Sequence, residues 1–327
     1  MKRILCLMIS ILLLCGGVFA AGEEAGLQAQ IEAFLQENGL TDTNFSMSYY
    51  NLSTGEAYAF NDTAYQPVGM VWTLPLHMYY YKQETLGMFD APPERPEEVY
   101  TIAGLTLEDC RYHSILRQDN DISEKMREQL GTTEQYQKLI NEEFGHMDAD
   151  ALPEEYLTKL RYSAAFLMNC LKELTVHEEY YGELTKNYSL VQSAGGFADY
   201  GKSYPLVHIL GEEDGTLCDV GVVSAPQAYL LVCTISAEDG QTLLGKLNAL
   251  VCSYVEDQAS NPTPTEATRD TERSDASFTL TTPQRNDRAI VLRWIIIALS
   301  IAFCLTGAVL LVLWLLRRRK ENRRYKD

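Results

Sequence analysis

Tyr65-Gln66-Pro67-Val68-Gly69-Met70-Val71-Trp72-Thr73-Leu74-Pro75-Leu76 joins a short hairpin to a long apolar helix. Pro67 and Gly69 punctuate the turn. Leu74 to Leu86 is so rich in aliphatic and aromatic residues that it predicts a helix buried on most of its surface, and Pro75 is tolerated because it falls in the first turn. A buried central helix requires a substantial domain around it.

Working outward, Phe45 to Tyr50 and Glu56 to Phe60 read as strands joined by the loop Asn51-Leu52-Ser53-Thr54-Gly55. Before them, Gly26 to Gln36 places Leu27, Ile31, Phe34 and Leu35 on one helical stripe, which Asn38-Gly39 ends. Beyond the central helix, Ala91 to Glu98 is a Pro- and Glu-rich loop, and Thr106 to Leu174 is mainly helical in pattern. Thr216 to Val223 and Ala228 to Ile235 read as a strand pair, with a third strand open at Ser189 to Ala194, before Gly195-Gly196. Gln241 to Val255 is a closing amphipathic helix. Strands at both ends with helices between predict an α+β domain whose antiparallel sheet is completed by its C-terminal strands.

The flanks read differently. Of the 327 residues, 1–20 resemble a signal peptide: Lys2 and Arg3, an apolar run, then Val18-Phe19-Ala20. Residues 21–255 form the expected extracytoplasmic domain and 256–288, dominated by Ser, Thr, Pro, Asp and Glu, a disordered stalk. Residues 289–316 are expected to cross a membrane once, since Trp294 to Leu316 carries no charge. Residues 317–327 form a basic tail expected in the cytoplasm.

From Ala21 to Val255 the chain holds 36 Asp and Glu against 13 Lys and Arg, an acidic balance that argues against nucleic acid. Five cysteines fall in this stretch, Cys110, Cys170, Cys218, Cys233 and Cys252. They show no metal-binding spacing, and one bridge at most is expected. No cofactor or metal is expected. His77, His113 and His146 sit beside no nucleophile in sequence, so a Ser-His-Asp triad has no support. Asn44, Asn51, Asn61 and Asn187 begin Asn-x-Ser/Thr triplets.

The order of elements, with a tetrad placed before a Leu-Pro helix, resembles the class A β-lactamases and low-molecular-weight penicillin-binding proteins, a superfamily of serine hydrolases. The resemblance spans Leu27 to Val255 and implies a β-lactamase/transpeptidase-like fold. In such enzymes a Ser-x-x-Lys supplies nucleophile and base, a Ser-Asp-Asn loop positions substrate, and a Lys-Thr-Gly strand binds the substrate carboxylate. Here the tetrad is Met70-Val71-Trp72-Thr73. A thioether has no proton to lose and forms no acyl ester, and Thr73 has no base beside it in sequence. The second landmark is Gln118-Asp119-Asn120, with Gln for Ser. Asp119 also suits a helix start, and Asn120 is a candidate contact for a ligand amide. The third is Gln192-Ser193-Ala194-Gly195-Gly196, with Ser193 where the Lys would stand. Glu142, Glu143, Glu154 and Glu155 are all available as a deacylating carboxylate, and none is singled out.

The resemblance therefore implies a bacterial cell-envelope protein, a membrane-anchored serine-hydrolase fold whose catalytic positions Met70, Thr73, Gln118 and Ser193 are degenerate. Asp119, Asn120, Ser193 and Gly195 are the candidate binding residues. Its expected role is to bind a cell-wall peptide or an envelope protein without acyl transfer. The alternative is an active β-lactamase- or peptidase-type hydrolase using Thr73, Ser193 or another hydroxyl. A third reading, a receptor-like protein with no ligand cleft, turns on whether a pocket survives between Met70, Asn120 and Ser193.

Overall fold

The computed structural model describes residues 26–95, 98–147, 151–191, 194–199 and 204–260. The expected signal peptide, membrane helix and basic tail, and the expected stalk from residue 261 onward, lie outside the described residues. Among those described, no helix is long and apolar enough to cross a membrane.

Helix α1 (Leu27–Glu37) buries Leu27, Ile31, Phe34 and Leu35, the stripe read from sequence. It ends where Asn38 Nδ2 bonds the Phe34 carbonyl at 2.7 Å and Gly39 takes a positive φ of 64°. Strands β1 (Phe45–Asn51) and β2 (Ala57–Phe60) form the hairpin. A 3₁₀ turn, Gly69–Trp72, runs directly into α2 (Thr73–Thr85), which buries Leu74, Leu76, His77, Met78, Tyr80 and Tyr81.

A small strand pair, β3 (Thr101–Ile102) and β4 (Leu105–Thr106), precedes α3 (Leu107–Arg111). After α3 the chain makes a π turn at Tyr112–Leu116 and enters α4 (Asn120–Gln129). Helix α5 (Thr133–Ile140) opens with a capping box between Thr132 and Gln135, and α6 (Glu154–Lys159) follows. Helices α7 (Ala164–Val176) and α8 (Glu178–Leu190) complete the helical layer. Strands β5 (Leu206–Glu213), β6 (Thr216–Val223) and β7 (Tyr229–Ile235) lead to α9 (Gly240–Ser260).

The sheet runs β2-β1-β7-β6-β5, antiparallel throughout. Hydrogen bonding of β1 to β7 joins the first and last strands of the domain, so the sheet is indeed completed late. Its two faces cover separate cores. One packs against α2, α7 and α8 through residues such as Leu76, Phe166 and Val232; the other packs against α1 and α9 through Ile31, Tyr229 and Leu247.

Four expectations change. Ser189 and Leu190 belong to helix α8, so no strand starts there. The strand that sequence reading missed is β5. Leu105 lies in β4 rather than in a helix. Finally, α9 continues past Val255 to Ser260. The five described cysteines are all buried and free, so the one bridge left open does not form among them.

Candidate functional site

The turn before α2 is fixed by two glycines in backbone contact with edge strand β5. A Cβ on Gly69, whose φ is +52°, would lie 2.4 Å from the Glu212 nitrogen. A Cβ on Gly211 would lie 2.2 Å from the Val68 oxygen and 2.8 Å from the Met70 nitrogen. Only paired glycines permit so close an approach. The Gly69 N–H also donates to Glu213 Oε2 at 3.2 Å. The backbone of β5 at Gly211 therefore lies directly against the turn at Val68 and Met70.

Behind the turn lies a cavity of about 10 Å³ lined by Met70, Thr73, His77, Ser114, Gln118 and His208, among others. That is no more than the room of about one water. Among the described residues, no lysine or arginine lines it. Thr73 is buried and its hydroxyl donates to the Met70 carbonyl at 2.8 Å.

The core of the site is a chain of neutral hydrogen bonds. His77, 1% exposed, meets Tyr188 Oη through Nδ1 at 2.6 Å and Ser114 Oγ through Nε2 at 2.5 Å. Ser114 Oγ meets Ser123 Oγ at 2.7 Å, and Ser123 Oγ donates to the Asp119 carbonyl at 2.9 Å. These contacts fix the direction of the chain. Because the Ser123 proton goes to Asp119, the Ser114 proton must go to Ser123, so His77 Nε2–H donates to Ser114 and Nδ1 accepts from Tyr188. Burial lowers the His77 pKa to about 3, which keeps the ring neutral. Burial likewise pushes the Tyr188 hydroxyl well up, opposed in part by its hydrogen bond with Thr73.

The opposite wall carries charge. His208 on β5 places Nδ1 2.9 Å from Asp219 Oδ1 on β6, and the Phe197 N–H donates to Asp219 Oδ2 at 2.7 Å. Asp219 is fully buried. Burial raises its pKa, while the His208 bond and charge and the Phe197 N–H pull it back.

The structure therefore brings Met70, Thr73 and Gln118 to one place. Gln118 is exposed and adopts a left-handed backbone, φ 50°. Asp119 caps α4, its Oδ1 accepting from the Asp121 and Ile122 N–H groups at 3.0 and 3.2 Å. Asn120 is exposed at the first position of that helix. Ser193 lies outside the described residues. Gly195 stands apart: a Cβ there would meet Gln241 on α9, and β5, not the Gly195-Gly196 turn, walls the Met70 cavity.

Sequence reading missed His77, Ser114, Ser123, Tyr188 and the His208–Asp219 pair. The signal available for His77 was a polar residue inside a helix otherwise apolar enough to be buried, since a buried imidazole needs partners. All four asparagines of the Asn-x-Ser/Thr triplets have structural work: Asn44 Oδ1 accepts from the Thr41 N–H at 2.7 Å, and Asn61 Nδ2 donates to the Asp42 carbonyl at 2.7 Å. Asn51 Oδ1 accepts from Ser53 and Thr54 N–H at 2.9 and 3.0 Å, and Asn187 Nδ2 donates to Tyr81 Oη at 2.6 Å. An open groove of about 770 Å³ has Tyr81, Glu84, Arg111, Glu178, Tyr180 and Glu183 in its wall, and none of the residues around the Met70 cavity contributes to it.

No protein-family model matches the sequence, and no curated protein is similar to it. Solved structures do match in shape. PBP-A superposes with a TM-score of 0.56 at 16% identity, over 72% of this chain and 98% of PBP-A. The TLA-3 extended-spectrum β-lactamase gives 0.57 at 11% identity, over 70% and 99%. A β-lactamase from Chitinophaga pinensis DSM 2588 gives 0.53 at 15% identity, over 70% and 99%. The described residues therefore carry the β-lactamase/transpeptidase-like fold that class A β-lactamases and PBP-A share.

Proposed function

We propose that this domain is a non-catalytic member of its fold, a tethered module of the cell envelope that binds a protein partner on its surface and performs no acyl transfer. The observation that carries this reading is the convergence of Met70, Thr73 and Gln118 on a cavity of about 10 Å³ that no lysine lines among the described residues. Met70 offers no nucleophile, and the Thr73 hydroxyl is engaged with the Met70 carbonyl. The open groove carries Glu108, Glu178, Glu179 and Glu183, with Glu84 paired to Arg111, and in a domain of net negative charge this supports a partner that presents basic residues. A cell-wall peptide, the other candidate ligand, would need the closed cleft to open. Membrane tethering rests on the uncharged run Trp294 to Leu316 and the basic residues after it.

The second reading, an active hydrolase with a displaced nucleophile, draws on one contact, Ser114 Oγ to His77 Nε2 at 2.5 Å. Against it, Ser114 is 2% exposed, and the hydrogen-bond direction makes His77 the donor in that contact.

Intact-mass spectrometry after incubation with penicillin G tests both readings. A single-residue variant of PBP-A is known as an acyl-enzyme complex with that compound and serves as the positive control. The expected result is no adduct on this protein. An adduct mapped to Thr73 or Ser114 would overturn the non-catalytic reading and name the nucleophile. The double substitution Met70→Ser with Thr73→Lys is expected to leave acylation absent as well, because a cavity of about 10 Å³ does not admit the ligand.

A further inference from the structure

We propose that His77 is an acid-sensitive latch: gaining a proton places an uncompensated charge in the closed cleft, and the helical wall opens around Met70 while the sheet and α9 stay folded. The inference concerns the same closed cleft but does not depend on what the domain binds.

The geometry makes His77 the junction of the helical wall. Its two ring nitrogens tie α2 to α8 through Tyr188 and to the Tyr112–Leu116 turn through Ser114, and Ser123 carries the chain into α4. Three elements beside α2 thus depend on one imidazole. In the closed form of this relay the ring is neutral, Nδ1 accepting the Tyr188 proton while Nε2–H donates to Ser114. A second ring proton at Nδ1 turns the Tyr188 O–H toward Thr73, whose oxygen can accept it because the Thr73 proton is held by the Met70 carbonyl. What the protonated ring lacks is hydration of its charge rather than a hydrogen-bond partner.

Among the described residues, no nearby charge compensates the resulting cation. The polar groups facing His77 are Thr73 from its own helix, Tyr188 from α8, Ser114 from the π turn and Ser123 from α4, all neutral hydroxyls. Across the cavity β5 brings His208, and the carboxylate behind it, Asp219, is engaged with His208 and the Phe197 N–H. Burial is accordingly the cause that depresses His77 basicity. A buried cation in this position needs water, and the cavity of about 10 Å³ holds at most about one. The way to hydrate it is outward past Met70, which is only half-buried, and Gln118, which is exposed.

The opening is local because the relay lies wholly in the helical core. The second core, made by α1 and α9 against the opposite face of the sheet, shares none of its residues. The direction follows from linkage. A histidine of depressed folded pKa binds its proton more readily when its surroundings open, so the closed form is favoured above about pH 6.5. It loses up to about tenfold in population for each pH unit below that, until about pH 3.

Trp72, buried next to Met70, reports on the cleft. In the full chain carrying Trp294→Phe and Trp314→Phe it is the single tryptophan. The experiment follows its quenching by acrylamide, with far-UV circular dichroism alongside, as pH falls from neutral. The expected result is a rise in quenching at a pH where the dichroism is unchanged, and a shift of that rise to lower pH by at least about one unit in His77→Gln. A rise that coincides with loss of dichroism, or one that is unmoved in His77→Gln, would overturn the proposal. Because His77→Gln could fail to fold, hydrogen exchange on the unsubstituted chain supplies a second arm. Protection corrected for intrinsic rate is expected to fall first in residues 112–123 and 178–190, ahead of 229–255. Simultaneous loss in all three would count against a local latch.

Discussion

The two walls of the closed cleft bury polar groups by different means. On the sheet side, β5 and β6 bury a histidine against a carboxylate and press glycine backbone onto the Met70 turn. On the helical side, α2, α4, α8 and the turn before α4 bury a histidine among hydroxyls that carry no charge. The difference is in what a single deletion leaves behind. Removing one member of the charged pair strands a buried charge, whereas removing one hydroxyl from the relay strands a dipole, so the sheet wall should be the more fragile of the two.

The largest effect is expected at Asp219. In Asp219→Asn the side chain keeps one oxygen for His208 but offers an N–H where Phe197 N–H now donates at 2.7 Å. Breaking a buried pair in this way costs about 3–5 kcal/mol. Urea denaturation at neutral pH checks it. A loss below about 1 kcal/mol would mean that the pair is replaced at little cost and that the two walls are equivalent.

Gly211→Ala tests the other device on the sheet side. The new Cβ would lie 2.2 Å from the Val68 carbonyl oxygen, which is backbone and cannot rotate away. Overpacking of this kind costs about 1–3 kcal/mol, and it should fall on the Met70 turn, so Trp72 emission at neutral pH is expected to change together with stability. Unchanged emission with full stability would show that strand and turn can separate freely.

How much of this was legible in the sequence divides along the same line. The central helix, the hairpin, the β6–β7 pair and α9 are marked by local signals: apolar run length, a Pro in the first turn, Asn and Gly at a loop. Strand β5 escaped because its second half, Gly211-Glu212-Glu213, is short of apolar residues, a consequence of lying at the sheet edge and against a turn that admits only glycine. Helix α8 escaped because its sequence is polar and Tyr-rich, with Tyr181, Leu184 and Tyr188 as its buried residues. The search for a polar residue before a glycine then pointed to Ser193-Ala194-Gly195, whereas the strand at the cleft offers Ile209-Leu210-Gly211. The degenerate tetrad was readable because a missing nucleophile shows at a fixed spacing. The relay was not, because His77 and Tyr188 are 111 positions apart and no periodicity connects them.

The smallest effect is expected on the helical side, and it sharpens the comparison in a way that stability alone cannot. Ser123→Ala removes the acceptor of the Ser114 proton at a cost of about 1 kcal/mol. It also removes the reason for the direction of the chain. With Ser123 present, Ser114 donates to it and His77 Nε2–H donates to Ser114. With Ser123 gone, the Ser114 proton is free to turn to Nε2, the ring proton moves to Nδ1, and Tyr188 becomes its acceptor. The imidazole ¹⁵N shifts of His77 read this directly: the protonated and bare nitrogen signals are expected to exchange positions between Ser123→Ala and the unsubstituted protein. If the tautomer stays the same in both, Ser123 does not set it, and the contact of Tyr188 with Thr73 must be fixing the chain from its other end. In that case the Tyr188→Phe variant, not Ser123→Ala, is the one that should move the His77 proton. The neutral wall would then be organised from the Met70 turn inward rather than from α4.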